Sequence, residues 1–224
     1  MKRIYDMFFR PQEVVELRAI GLNGNSSLWK GFSKGIISGY FNNAEALEKA
    51  AGLLDSAGAS GVYFTLNPVN PALLARAVNR LIVPKNTTQD SDIACIRWFP
   101  LDLDPIRPAG ISATDEEAQE AICLGDKISV WLENEFCFTR GIRACSGNGM
   151  HLLYRLPDLP NNQETHELIV NVLETIIAKF KNDNVDIDSK VTNPSRIWKY
   201  YGTTSRKGDS TSERPHRKSF IYAE

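Results

Sequence analysis

The sequence predicts a mixed α/β (α+β) protein, and three observations predict it. Helix and strand signals alternate along the chain, and no repeat or low-complexity segment interrupts them. Gly, Pro and Asn punctuate the boundaries where the apolar spacing changes. With 42% hydrophobic residues, 224 residues can bury one large core or two small lobes.

Taken in order, "NNAEALEKAAGLLDSAG" predicts a helix, because Asn42 followed three residues later by Glu45 makes a capping-box arrangement and Gly58 is a natural stop. "GVYFTL" is a strand. "PALLARAVNRL" predicts a second helix, with Asn70 before it and Pro71 at its first position. The first 80 residues thus read β/α. "ACIRWFPLDLD" is a strand in which Pro100, lacking an N–H, must mark an edge, a bulge or a break. Thr114 with Glu117, and Asn161 with Glu164, cap the next two helices, "TDEEAQEAICLGDKISVWLENEF" and "NNQETHELIVNVLETIIAKFK". Between them "GIRACSGNGMHLLYRL" places two β-rich runs around Ser-Gly-Asn-Gly, a hairpin signal. The remainder, from Val185, reads as strands and loops.

No run approaches the roughly 18 apolar residues of a membrane span, and the apolar segment in "MKRIYDMFFRPQE" is too short for a signal peptide, so a cytoplasmic protein without a membrane partner is expected. Cys95, Cys123, Cys137 and Cys145 lack C-x-x-C spacing, which predicts reduced, buried thiols rather than a zinc site or a disulfide framework. The net charge of −1 argues against a protein that coats nucleic acid indiscriminately. It conceals an asymmetry, however. Nine acidic residues stand between Asp102 and Glu135 against Arg107 and Lys127, and seven basic residues stand between Arg196 and Lys218 against Asp209 and Glu213. For charge runs in general, solvated faces are the preferred reading of both tracts.

Chemistry concentrates in three places. Asp102 and Asp104 are two apart on a strand, so both leave one face with their Cα atoms roughly 7 Å apart. Two such carboxylates repel, and a divalent cation relieves them; a solvated turn before "PIRPAG" is the alternative. In "CSGNGMH", the turn Gly147-Asn148-Gly149 can present successive N–H groups to an anion, with Ser146 adding a hydroxyl and His151 opening the next strand, although a tight turn and a structural histidine fit as well. "DIDSKVTNPSRIWKYYGTTSRKG" offers Asp188 and the cations Arg196, Lys199, Arg206 and Lys207, suited to a triphosphate or a nucleic-acid backbone. Carboxylates, cradle and cations together suit nucleotidyl transfer, in which two metals roughly 3.5–4 Å apart activate a 3′-hydroxyl and stabilise the leaving pyrophosphate. Trp198, Tyr200 and Tyr201, interleaved with cations, are either base-stacking surfaces or core.

The order "LDLD", "SGNGMH", "DIDSKVTNPSRIWKYYGT" and a downstream Lys resembles the three motifs of the archaeo-eukaryotic primase superfamily, in particular the primase-polymerases of phages, plasmids and CRISPR-linked operons. The likeness extends to "VELRAI", "GVYFTLNPVNPALLARAVNRL", "TTQDSDI" and "RPHR", and so covers most of the chain. It implies an N-terminal α/β lobe packed on an RRM-like lobe, approximately residues 1–90 and 91–224, with the active site in a cleft between them. All of 1–224 would then be a single catalytic domain, or a fragment of a longer protein. The resemblance makes Asp102, Asp104 and Asp188 the carboxylates of two Mg²⁺ or Mn²⁺ ions, with Asp186 the rival for the third place. Ser146, Gly147, Asn148, Gly149, His151, Arg196, Lys199 and Lys207 would bind the nucleotide, while Tyr63, Asn67, Arg206, Arg214 and Arg217 would touch nucleic acid.

The expected activity is template-directed addition of dNTP or NTP to a 3′-hydroxyl on single-stranded DNA, with a primer strand. A helicase, an accessory priming domain or CRISPR adaptation proteins are the partners the resemblance suggests. The alternative is a non-catalytic RRM-like module that binds single-stranded nucleic acid. A rolling-circle initiator is excluded because His151, His166 and His216, the only histidines, form no His-hydrophobe-His pair. A D-x-D glycosyltransferase would leave the Ser-Gly-Asn-Gly turn and the third carboxylate unexplained.

Overall fold

In the computed structural model, which describes residues 3–22 and 35–223, the chain forms two units: Met1–Cys95 with Pro194–Thr204, and Ile96–Asn193 with Ser205–Glu224.

The first unit is built on an antiparallel sheet of β1 (Val15–Leu22), β2 (Gly35–Phe41), β3 (Gly61–Thr65) and β8 (Ile197–Lys199), in the order β2-β1-β3-β8. Strand alternation gives it two unlike faces. Val15, Leu17, Ala19, Val62, Phe64 and Trp198 make the buried apolar face. Helix α1 (Ile4–Phe8) sets the Phe8 ring 5.1 Å from that of Phe64, and α2 (Ala44–Ser56) adds Leu47, Ala50, Ala51 and Leu54 to the core. Tyr200 and Tyr201 are buried too, and the Trp198 indole N–H donates to the Tyr201 hydroxyl at 2.9 Å. Of the two readings of these aromatics, core is the one observed. The other face carries a fully buried Glu16, which accepts from Arg18, Ser38 and the Thr88 backbone. Burial raises the Glu16 pKa, but the Arg18 and Ser38 hydrogen bonds outweigh it and hold the carboxyl below its ordinary value.

Two local expectations are corrected here. The cap of α2 is Asn43, whose side chain accepts from Ala46 N at 2.9 Å, whereas Asn42 exchanges hydrogen bonds with Asn79. The second helix shortens to a 3₁₀ helix, Pro71–Arg76, capped by Asn70. The edge of β2 captures the residues beyond it: Tyr40 N donates to Ala77 O, Asn79 N to Tyr40 O, and Ser38 and Ile82 exchange both backbone bonds. Edge groups that need partners outcompete a marginal helix.

The second unit strings β4 (Ile96–Pro105), α3 (Asp115–Phe136), β5 (Ile142–Cys145), β6 (Met150–Leu159), α4 (Gln163–Phe180) and β7 (Val185–Ile187) into a βαββαβ pattern. The short strands β9 (Thr204–Ser205), β10 (Arg217–Lys218) and β11 (Phe220–Ile221) come after it. With β11 at one edge, the antiparallel sheet runs β11-β5-β6-β4-β7; its inner order, 2-3-1-4, is that of a split βαβ, RRM-like lobe.

Thr114 and Glu117 form the reciprocal capping box of α3. The cap of α4 is Asn162, accepting from Thr165 N at 2.9 Å, one residue beyond the Asn161 expected. Leu101, Leu103, Met150 and Leu152 are fully buried. Gly125 of α3 lies so close to this layer that a Cβ would stand 2.8 Å from Met150 Cγ, which fixes the helical side of the sheet. Pro100 sits in regular register with Leu153, not at a bulge. Asp102 O accepts from Asp188 N, so even-numbered residues of β4 turn their backbone groups toward β7. The missing N–H of Pro100 points that way too, past the pairs Leu103–Pro105 make with β7.

None of the four cysteines is in a disulfide, but only Cys145 is buried; Cys123 and Cys137 are exposed, because they fall on the outer side and the C-cap of α3. No helix among the described residues is long and apolar enough to cross a membrane.

Candidate active site

Alternation in β4 sends Leu101 and Leu103 to the helices and Asp102 and Asp104 to the other face, both part-exposed. The ladder extends that face across three strands. Asp102 pairs with His151 on β6, and Asp104 pairs with Asp186 on β7. The bond from Asp188 N to Asp102 O, 3.0 Å long, carries the same register one residue past β7. Asp188 therefore stands opposite Asp102. Four aspartates share one face in two rows, Asp102 with Asp188 and Asp104 with Asp186, with about 5 Å between Cα atoms within a row and 7 Å between rows.

Cations of the same unit gather on this face. His151, 4% exposed, brings Nε2 to 3.3 Å from Asp102 Oδ1. Asp104 receives Lys207 Nζ at 3.5 Å on Oδ2 and Arg107 Nη1 at 3.7 Å on Oδ1. The Arg107 side chain is only 6% exposed and is locked by bonds to the carbonyls of Ile111 and Pro105, whereas Lys207 is 42% exposed. Arg107 belongs to the "PIRPAG" loop, where nothing in its spacing marks it. Asp188 Oδ1 accepts from Lys190 N, which anchors the turn leaving β7. Among the described residues no three His, Cys, Asp or Glu side chains are gathered closely enough to hold a metal ion by themselves. The donor set nevertheless fits a hard cation, being carboxylate oxygens on one part-exposed face, with only Arg107 and Lys207 as fixed positive charges beside them.

The turn after β5 is differently arranged from a vacant cradle. Ser146 Oγ accepts from the N–H groups of Asn148 and Gly149, and Gly147 N donates to Cys145 Sγ. The N–H groups expected to face an anion are thus satisfied within the turn. Asn148 is buried; its Oδ1 accepts from Ala113 N at 2.8 Å and its Nδ2 donates to Ser205 Oγ at 3.0 Å, which makes it a tie between loops. Gly149 faces the carboxylates so closely that a Cβ would lie 2.1 Å from Leu103 O and 3.0 Å from Asp104 Oδ1. Gly147 adopts φ +100° against Ser205 and Arg217.

Other expected contacts are committed elsewhere. Arg214 makes a bidentate pair with Glu117 at 2.8 Å, and Arg217 bonds Asp115 at 2.6 Å and Ala113 O at 2.7 Å. The Arg214 hydrogen bond holds the Glu117 carboxyl below its ordinary value. Both arginines therefore fasten the tail to the start of α3 instead of facing a template. In the first unit, Lys199 is buried, donates to Thr204 O at 2.9 Å and lies 5.5 Å from the Tyr63 ring centroid; Asn67 is buried and donates to Pro194 O. Both side chains are thus engaged within the first unit. Arg196 and Arg206 are part-exposed, as is Tyr63.

No protein-family model and no curated protein matches the sequence. Among solved structures, the chain is similar to the AEP domain of the cyanophage S-2L primase-polymerase, with a TM-score of 0.52 and 11% sequence identity over 98% of this chain and 85% of that one.

Proposed function

We propose, from the premise that the chain carries the fold of an archaeo-eukaryotic primase domain, that it is a template-directed nucleotidyltransferase acting on single-stranded DNA. The observation that carries the reading is the four-aspartate face of the second unit, with His151 beside Asp102 and Lys207 beside Asp104. Asp102, Asp104 and Asp188 would hold Mg²⁺ or Mn²⁺; the divalent ions supply charge neutralisation and acidification of the primer 3′-hydroxyl. Asp186 lies on the same face and is the second candidate for the third carboxylate.

The protein's own groups have separable tasks. His151 is held at Asp102, where an imidazole N–H can donate to a phosphate oxygen of dNTP or NTP. Lys207, half-exposed, is ion-paired with Asp104 and could swing from that carboxylate to the triphosphate of a bound nucleotide. Ser146 supports this chemistry indirectly, by shaping the turn that lets Gly149 approach Asp104. Arg206, part-exposed, remains a candidate contact for nucleic acid.

Incubating the protein with primed single-stranded DNA, labelled nucleotides and Mg²⁺ or Mn²⁺ tests the reading. Metal-dependent primer elongation is expected. DNA binding that needs no divalent ion, with no incorporation at any metal concentration, would instead identify an RRM-like binding module.

A further inference from the structure

A groove of about 410 Å³ opens where α3, the end of α4 and the start of β7 meet, on the helical side of the second unit's sheet. Its lining includes Lys127, Lys179, Lys181, Asn184 and Phe180. Among the described residues, none of the three ammonium groups makes an ion pair, and Lys179 lies 5.1 Å from the Trp131 ring centroid. This contrasts with the basic tract near the C-terminus, where Lys207, Arg214 and Arg217 are matched to Asp104, Glu117 and Asp115. The groove thus gathers three ammonium groups without ion pairs, and Glu120 is the one acidic residue among those that line it.

We propose that the groove binds the phosphodiester backbone of a single-stranded nucleic acid, as an anchoring site outside the carboxylate face. Three ammonium groups around an open groove suit successive phosphates, and Phe180 offers an apolar surface beside them. The position suits it as well. β7, the edge strand of the sheet, leads from Val185 in the groove to Asp186 and Asp188 on the opposite face, three residues and about 10 Å further on at roughly 3.3 Å per residue. The choice of nucleic acid as ligand rests on the nucleotidyl-transfer reading, but the binding itself needs neither metal nor nucleotide.

The test is fluorescence anisotropy with a labelled single-stranded oligodeoxynucleotide over a range of salt, without divalent ions, for the wild type, Lys127→Ala/Lys181→Ala, and Lys49→Ala/Lys85→Ala as a charge-matched control. Lys127, Lys181, Lys49 and Lys85 are all exposed, so the variants should fold, and circular dichroism checks this. If two phosphate contacts are lost, the groove variant should bind about 20-fold more weakly at 0.1 M salt, with a salt slope shallower by about 1.4. The control should match the wild type. Equal affinity and slope for wild type and groove variant, an equal loss in the control, or no oligonucleotide binding by the wild type would each overturn the proposal. Primer elongation by the same wild-type preparation reports separately on the catalytic reading.

Discussion

Asp104 is held between a locked arginine, a movable lysine and a glycine that must remain one. Gly149→Ala should destabilise the second unit by more than about 3 kcal/mol, since the added Cβ meets backbone that cannot rotate away; chemical denaturation measures this. His151→Ala should retain the fold and slow incorporation about 100-fold, the scale of losing one transition-state charge stabiliser. Steady-state kinetics with thermal melting separates the two effects. Lys207→Ala should act mainly on the apparent nucleotide KM. At this scale the sequence was legible where chemistry follows local spacing: the shared face of Asp102 and Asp104 needs only the period of a strand. It was not legible for Asn148, whose amide looks available in the turn but is taken by Ala113 and Ser205, 35 and 57 residues away.

Elements were readable in kind and less so at their ends. Both Asn-Asn-x-Glu segments start helices, yet in each the second asparagine caps, which puts Glu45 and Glu164 into the first turn where a carboxylate meets the positive end of the helix dipole. Asn43→Ala and Asn162→Ala should each cost about 1 kcal/mol in denaturant titrations. The expected helix over 71–81 was lost to a competitor no local pattern reveals, the open edge of β2. The capping box of α3 has a further role, because Glu117 also holds Arg214. Its folded-state pKa is lowered, so its contribution is present above the unfolded value of about 4.3 and is lost as pH falls through the folded one. Acid titration should therefore weaken the attachment of the tail below about pH 4.5, and Glu117→Gln should remove that part of the pH dependence.

Across the whole molecule, the acidic middle and basic end of the sequence prove to be partners of one another. Composition shows the imbalance, but only the fold shows that Arg214 and Arg217 return to α3 and Lys207 to β4. Arg214→Ala with Arg217→Ala should therefore lower stability modestly, through lost ion pairs and carbonyl contacts. Its signature is a reduced Tm. The chain also returns to the first unit at 194–204, adding β8 to a sheet begun near residue 15. No local signal announces a strand that joins so late. Metal-dependent nucleotidyl transfer at the aspartate face is tested by primer elongation with Asp102→Asn/Asp104→Asn under saturating Mg²⁺ or Mn²⁺. Elongation should be abolished while the circular dichroism spectrum and single-stranded DNA affinity stay close to wild type, because Asn keeps the size of each side chain and removes only the charge that would hold the metal. Elongation at near wild-type rate by the double variant would contradict this assignment.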